Sequence, residues 1–369
     1  MPRRADSIDV LVVGAGPAGS MAARATAAAG LETLLVERRT TVGTPVRCGE
    51  LAPAFLRGLP PDVEVPVVQT VPELVLHLPE GETARIAAPG VVMDRDRFDQ
   101  ALARSACRAG AELALGCPLV RLERGGVAHL GGIEPRVVRA RVVIGADGPR
   151  STVSRSVGLG SPAVMLALQR RVELARPVAR AHLVFWTACR HGYGWLFPKG
   201  GVANAGVAVP RGAGRLGRAL LTELLERLVR GGLVRPADAG AGPSTRDRTS
   251  GGLVPSGGPL ARLYAGRVVL AGDAAGQTDP LTGAGIAAAI TAGAMAGEAV
   301  ASALASGRRE RAGPEYELAW RRALGLTAAR SMDRRREMEA LWDRDVERAV
   351  RRAWLPAYER GMEHDDSAP

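Results

Sequence analysis

The sequence predicts a chain of the α/β class: a Rossmann-like nucleotide-binding domain, an inserted antiparallel-sheet domain and a C-terminal helical tail. Three observations predict it. The apolar run from Ile8 to Val13 leads into Gly14-Ala15-Gly16-Pro17-Ala18-Gly19 and then into an alanine-rich helical segment, Met21 to Ala29. Two further strand-like runs, one reaching Asp147 and one reaching Asp273, also end in glycine and an acid. Between these two lies a strand-rich stretch, Leu166 to Val209.

In the first unit Gly14 permits a tight turn, Gly16 lets backbone N–H groups approach a pyrophosphate, and Gly19 lets the helix pack close to the strand. Leu34-Leu35-Val36 forms the next strand and ends in Glu37, about 20 residues after the glycines, where a carboxylate can accept ribose hydroxyls. Arg38 to Glu50 reads as irregular, closing on Pro45-Val46-Arg47-Cys48-Gly49-Glu50. Glu73 to Leu78 has strand character. Asp94 to Gly110 is an amphipathic helix with Phe98, Leu102 and Ala106 on one face, and Arg95 sits near its start, where phosphates are often met.

Strands are expected at Glu112 to Leu115, Leu119 to Leu122 and Arg141 to Ile144, the last running into Gly145-Ala146-Asp147-Gly148. Arg215 to Arg230 is a helix with a leucine stripe, ended by Gly231-Gly232. Pro236 to Pro259 reads as a loop rich in Gly, Pro, Ser and Arg. It leads to a strand, Arg267 to Ala271, that belongs with the N-terminal sheet, because its acid-tipped end again faces a glycine-rich helix start at Gly283-Ala284-Gly285. The nucleotide-binding domain is therefore expected to be discontinuous, at residues 6–60, 90–160 and 260–307. Residues 61–89 and 161–259 form the substrate domain and 308–362 the tail.

At 369 residues the chain is long enough for two lobes and a tail. Its net charge of +11 comes almost wholly from arginine, Lys199 being the only lysine. That excess either echoes a coding bias or favours an anionic membrane surface, a diphosphate or an acidic redox partner. No nucleic-acid partner is expected. Cys48, Cys107, Cys117 and Cys189 are scattered without zinc or disulfide spacing, so no metal is expected and a reducing cytoplasm fits. No apolar leader precedes the first strand, and the run from Gly285 to Leu304, which contains Glu298, reads as a buried helix packed against a sheet.

Gly272-Asp273 with Pro280, Gly283 and Gly285 makes a second site of phosphate or ribityl contact, with a helix start aimed at an electron-rich ring. Two such sites suit a long cofactor better than NAD(P) alone. The glycine turn with Glu37, Val143-Ile144-Gly145-Ala146-Asp147-Gly148 with Ser151 and Arg155, and Gly272-Asp273-Ala274-Ala275-Gly276 together resemble the FAD framework of p-hydroxybenzoate-hydroxylase-type flavoproteins. Within that superfamily, Pro45 to Glu50, Tyr193-Gly194-Trp195-Leu196-Phe197-Pro198-Lys199-Gly200 and Asp279 to Ile286 are similar to the geranylgeranyl reductase family. The resemblance runs nearly the whole chain, as far as Trp320. Ala284 stands where that family often has glutamate, Asp279 where many members have asparagine, and Ala205 where valine is common.

The motifs and the resemblance together imply an FAD-binding set of Gly14, Gly16, Ala18, Gly19, Glu37, Arg38, Arg47, Cys48, Gly49, Arg95, Asp147, Gly272, Asp273, Pro280, Gly283, Gly285 and Ile286. They also imply a catalytic set of Cys48, Tyr193, Trp195 and Phe197. In an extended strand the three aromatic residues fall on one face, where they can line an apolar tunnel beside the flavin. Reduced FAD can deliver hydride to an alkene carbon, and for an unactivated alkene near-attack placement can be worth about 7–11 kcal/mol. Cys48, Tyr193 and His191 are the candidate proton sources, with packing the plainer role for Cys48 and a strand-end position the plainer one for His191.

No second nucleotide unit follows, so the reductant is NAD(P)H in passing or a small electron carrier. In the tail, Trp342, Val346, Val350 and Trp354 form one apolar stripe. It docks on the protein's own body or on a bilayer beside a lipid substrate. The leading reading is a reductase of C=C bonds in a prenyl lipid, diphosphate, quinone or terpenoid, cytoplasmic or peripheral at the inner face of the membrane. The alternatives are an FAD-dependent aromatic monooxygenase and a flavoprotein without turnover. Lys199, directly after Pro198, is the only lysine available for the halogenase chemistry that needs one, which argues against chlorination.

Overall fold

The apolar run that opens the sequence becomes the centre of a parallel sheet. In the computed structural model, which describes residues 6–54, 56–236 and 249–359, Asp6–Val13 lies between Arg136–Gly145 and Thr33–Val36, parallel to both. Val10, Leu11 and Val12 are fully buried, as expected for a parallel strand covered on both faces. Glu112–Ala114 extends the sheet beyond Thr33–Val36. Val268–Leu270 joins the far side of Arg136–Gly145, also in parallel, so the strand expected at Arg267 to Ala271 does return to this sheet. A hairpin, Leu119–Glu123 with Val127–Leu130, hangs antiparallel from the start of Arg136–Gly145.

Among the described residues the α-helices are α1 (Pro17–Ala28), α2 (Arg95–Arg108), α3 (Thr152–Ser156), α4 (Gly214–Arg230), α5 (Ile286–Ala305), α6 (Ala312–Trp320), α7 (Leu326–Leu341) and α8 (Val346–Glu359). The Gly285 to Leu304 run is buried as expected, sharing apolar clusters with strands of both sheets, and α5 also lies closely against α1. A Cβ on Gly293 would fall 2.1 Å from the Ala18 carbonyl oxygen and one on Gly297 2.6 Å from that of Ala22. Only glycine on one helix and alanine on the other let two backbones come this close. By length and composition α5 could cross a membrane, yet half of it is buried within the protein.

The second sheet runs Ser250–Pro255, Val164–Glu173, Val202–Pro210, Tyr193–Lys199, Ala181–Val184, Val67–His77, Thr83–Met93 and Leu51–Pro53. Three of its features were not read from the sequence. Ala181–Val184 pairs with Val67–His77 in parallel, so the sheet is mixed rather than wholly antiparallel. Its strands reach back to Leu51–Pro53 and forward to Met93, beyond residues 61–89. Ser250–Pro255 is an edge strand where a loop was expected, and residues 237–248 of that loop lie outside the described residues. The glycines that read as loop serve packing, since a Cβ on Gly251 would stand 3.1 Å from the Leu168 side chain.

One face of this sheet carries Leu196, Ala205 and Val207 against α4, whose Leu220, Leu221, Leu224, Leu225 and Leu228 are buried. Each leucine buried in this way stabilises by about 1.5–3 kcal/mol. The other face carries Leu74, Leu76, Leu183, Phe185 and Trp195, and the tail docks there through Trp342, Val350 and Trp354, all 2% exposed or less. Polar contacts fasten it. Trp342 Nε1 donates to the Thr187 carbonyl at 3.1 Å, and Arg351 pairs with Glu82. Of the two uses expected for the apolar stripe, docking on the protein's own body is the one observed.

Candidate active site

In a parallel sheet ligands collect beyond the carboxyl ends of the strands. Here Asp6–Val13 ends at Gly14, Thr33–Val36 at Glu37, Arg136–Gly145 before Asp147, and Val268–Leu270 before Gly272-Asp273. The separate motifs of the sequence are thus the ends of adjacent strands, opening on one cavity of about 860 Å³. Every residue of the expected FAD-binding and catalytic sets except Gly19 lines that cavity. Gly19 sits behind it, because a Cβ there would meet the Gly14 carbonyl oxygen at 1.8 Å. Gly14 has φ +101°, in the left-handed half of the map where glycine is favoured. A Cβ on Gly16 would meet nothing within 4 Å, so that position opens on the cavity.

Local hydrogen bonds shape the polar end. Glu37 accepts the Ala15 N–H on Oε2 and the Arg39 N–H on Oε1, at 3.0 and 3.1 Å, which ties the glycine turn to the second strand. Helices α1 and α5 start at Gly16 and Gly285 without a side-chain cap. Their first N–H groups and positive dipole ends are turned to the cavity, an arrangement suited to anionic or electron-rich groups. Asp147 accepts the Thr152 and Val153 N–H groups on Oδ2, while its buried Oδ1 has no partner within the protein. Burial raises the Asp147 carboxyl above the usual range, and it does the same to Asp273, whose Oδ1 accepts from Thr278 Oγ1 at 2.6 Å.

Cys48 and Gly49 form the middle of the wall. Arg95 Nη1 donates to Cys48 Sγ at 3.1 Å, and Asp99 holds the same guanidinium through Nε and Nη2 at 3.0 and 3.1 Å. A Cβ on Gly49 would come within 2.8 Å of the Phe197 ring, so glycine is needed for this approach. Beyond it stand the aromatic residues in sequence along one face, with Tyr193 and Trp195 centroids 6.1 Å apart and Trp195 and Phe197 also 6.1 Å apart. Tyr193 donates its hydroxyl to the Thr282 carbonyl, and burial pushes its pKa well above the ordinary tyrosine value. Lys199 turns away from the cavity to Glu50 and Asp94. His191 packs on Trp342 with centroids 5.7 Å apart and does not line the cavity, which leaves it the strand-end role.

A family model for FAD dependent oxidoreductases matches residues 9–144. The digeranylgeranylglycerophospholipid reductase of Methanocaldococcus jannaschii is 35% identical over 334 residues, covering 86% of this chain and 83% of its own. The chain belongs to the geranylgeranyl reductase family of FAD-dependent oxidoreductases. A geranylgeranyl bacteriochlorophyll reductase-like protein from Thermoplasma acidophilum has the same architecture, with a TM-score of 0.78, 26% identity and coverage of 98% of this chain and 99% of that one. A probable FAD-dependent monooxygenase from Pseudomonas aeruginosa, at 22% identity, a TM-score of 0.65 and coverage of 97% of this chain and 100% of its own, shares the fold.

The residues present fit the cofactor of this family. Two bare helix starts, the open Gly16, and an unpartnered buried oxygen on Asp147 ask for a ligand with phosphates, hydroxyls and ring donors. Trp195 Nε1 is likewise buried without a partner on the cavity wall. The cavity wall also has residues that were not read from the sequence. Met165, Leu253, Val254, Arg335, Trp354 and Ala357 come from the second sheet and the tail. Trp354 belongs to the recognised apolar stripe, so its burial was foreseeable but its place in this wall was not. Arg335 carries no sequence signal among so many arginines. It donates to the Pro280 carbonyl at 2.8 Å and pairs with Glu339 at 3.0 Å.

Proposed function

We propose that this reductase saturates C=C bonds of a prenyl chain carried by a geranylgeranyl-type lipid, diphosphate, quinone or terpenoid. The observation that carries the reading is the continuity of one cavity from the bare helix starts to an apolar end walled by Tyr193, Trp195, Phe197, Leu74, Met165 and Trp354. A flexible hydrocarbon with few polar atoms suits such a wall. Bound and reduced FAD supplies the hydride. The chain's own residues would hold the alkene beside it: Gly49 packs against the Phe197 ring on the cavity wall, and Pro280 to Ile286, which line the same cavity, would hold the ring end.

The cofactor-binding roles follow the same division. Gly14, Gly16, Ala18, Glu37, Arg38 and Asp147 take the adenosine and phosphate end. Arg47, Cys48, Gly49, Arg95, Gly272, Asp273, Pro280, Gly283, Gly285 and Ile286 take the ribityl and ring end, and Gly19 supports the turn from behind. Cys48 has a sulfur already accepting from Arg95 and from the Glu50 N–H at 3.2 Å, which fits a wall contact better than a free nucleophile. The reductant is NAD(P)H or a small electron carrier. The net charge of +11 supports an acidic carrier or a peripheral position at the inner face of a membrane.

The test is to reduce the purified flavoprotein chemically without oxygen, offer prenyl lipids and aromatic compounds, and weigh the products. A gain of two hydrogens on a prenyl substrate is the expected result. A gain of one oxygen on an aromatic one, once oxygen is admitted, would replace this reading with a monooxygenase.

A further inference from the structure

Lys199 is the only lysine among the 49 Lys and Arg residues of the chain. It is also the most deeply buried cation among the described residues, at 5% exposed. Its ammonium lies 2.6 Å from Glu50 Oε2 and 2.8 Å from Asp94 Oδ1. Asn204 Nδ2 donates to the same Glu50 oxygen at 2.8 Å, and Arg171 Nη2 stands 3.5 Å from it. An ammonium offers three donors around one small centre, whereas a guanidinium is broad and flat. Between Glu50, Asp94 and Asn204 the compact cation satisfies two carboxylates at once, which explains why a sequence that otherwise uses arginine throughout keeps lysine here.

Glu50 is 1% exposed and has φ +68°, a left-handed backbone that a non-glycine residue keeps only where its surroundings hold it. Its Oε1 accepts the Arg95 N–H at 3.0 Å, at the start of α2. The residues just before it are fixed in the same way. The Glu50 N–H donates to Cys48 Sγ, Gln169 Nε2 donates to the Cys48 carbonyl at 2.9 Å, and Asn204 Nδ2 also donates to the Gly49 carbonyl at 3.1 Å. Cys48 and Gly49 thus sit on the cavity wall in irregular backbone whose place is set by side chains from neighbouring strands. Lys199 itself does not line the cavity.

We infer that Lys199 is a positioning residue, which through Glu50 locks Cys48 and Gly49 onto the wall of the cofactor cavity. This holds whichever alkene the enzyme reduces, so its failure would leave the substrate reading untouched. The test uses the full-length FAD-loaded protein and the variants Lys199→Met, Lys199→Arg and the double variant Glu50→Gln with Lys199→Met, which leaves no unpaired charge on residue 50. Two signals are read. One is the alkylation rate of Cys48 by iodoacetamide, measured by peptide mass against the exposed Cys107. The other is the visible spectrum and midpoint potential of the bound FAD.

Local release of the Cys48 segment predicts alkylation about tenfold faster relative to Cys107 in Lys199→Met and in the double variant, together with an altered flavin spectrum and potential. Lys199→Arg keeps the charge and the fold but does not restore the wild-type ratio. A wild-type alkylation ratio, spectrum and potential in any folded variant lacking the lysine, or full rescue by Lys199→Arg, overturns the inference.

Discussion

Trp354, on the last helix, meets the Tyr193 ring edge to face, their centroids 5.1 Å apart and their planes at 79°. It meets Phe185 in the same manner at 5.4 Å. The C-terminal tail is therefore part of the wall of the cavity and part of the core beneath it.

Trp354→Ala should destabilise the protein by about 3–5 kcal/mol, the cost of a large aromatic side chain removed from a closed core. Denaturant unfolding followed by near-ultraviolet circular dichroism would measure it. An unchanged midpoint would mean that the tail is not coupled to the sheet.

Two glycine substitutions in one turn should behave differently. Gly19→Ala forces a Cβ against the Gly14 carbonyl oxygen and should cost about 1–3 kcal/mol of stability even without cofactor. Gly16→Ala has open space around the new atom, so the apoprotein should keep its melting temperature while FAD affinity falls about tenfold or more, a loss of roughly 1.4 kcal/mol or more in binding. Calorimetry of the apoproteins and flavin titration separate the two outcomes.

Stability should fall with acidification through the histidine range. His77 Nε2 and His182 Nδ1 are 2.9 Å apart with their rings stacked. Burial, with His77 and neighbouring arginines, pushes His182 down to about 4 from 6.5. Between those values the unfolded chain binds the extra proton, so the stabilisation is complete above about pH 6.5 and is lost as the pH drops towards 4. Partial exposure reduces the effect to about 1–2 kcal/mol. His182→Gln should flatten the stability curve over this window, and an equally steep curve would place the dependence elsewhere.

Tyr193 should stay protonated well past neutrality, since burial raises it and its hydroxyl is committed to the Thr282 carbonyl. Tyr316, bonded to Gln277, behaves alike. An alkaline difference spectrum of folded protein should lack the tyrosinate signal of these two residues. Tyr193→Phe should lose about 0.5–1.5 kcal/mol for the missing hydrogen bond and show no change in the alkaline limb of a pH–rate profile.

Much of the site was legible because its signals are local. A strand, a turn that needs glycine and a helix follow one another within the first 30 residues, and a strand places Tyr193, Trp195 and Phe197 on one face by its period alone. The edge strand Ser250–Pro255 was not legible, because Gly251 answers to the Leu168 side chain, which is not near in sequence.

By itself the sequence determined the glycine turns, the acids that end three strands of the first sheet, the aromatic face and the apolar stripe of the tail. Tertiary structure alone decided that these strand ends stand side by side, that α5 rests on α1, that Lys199 serves Glu50, and that Trp354 closes the cavity over Tyr193. The physical reason is range. Backbone preference and side-chain periodicity act between near neighbours in the chain, whereas a wall built from residues 48, 193 and 354 exists only after burial of apolar surface has drawn distant segments together.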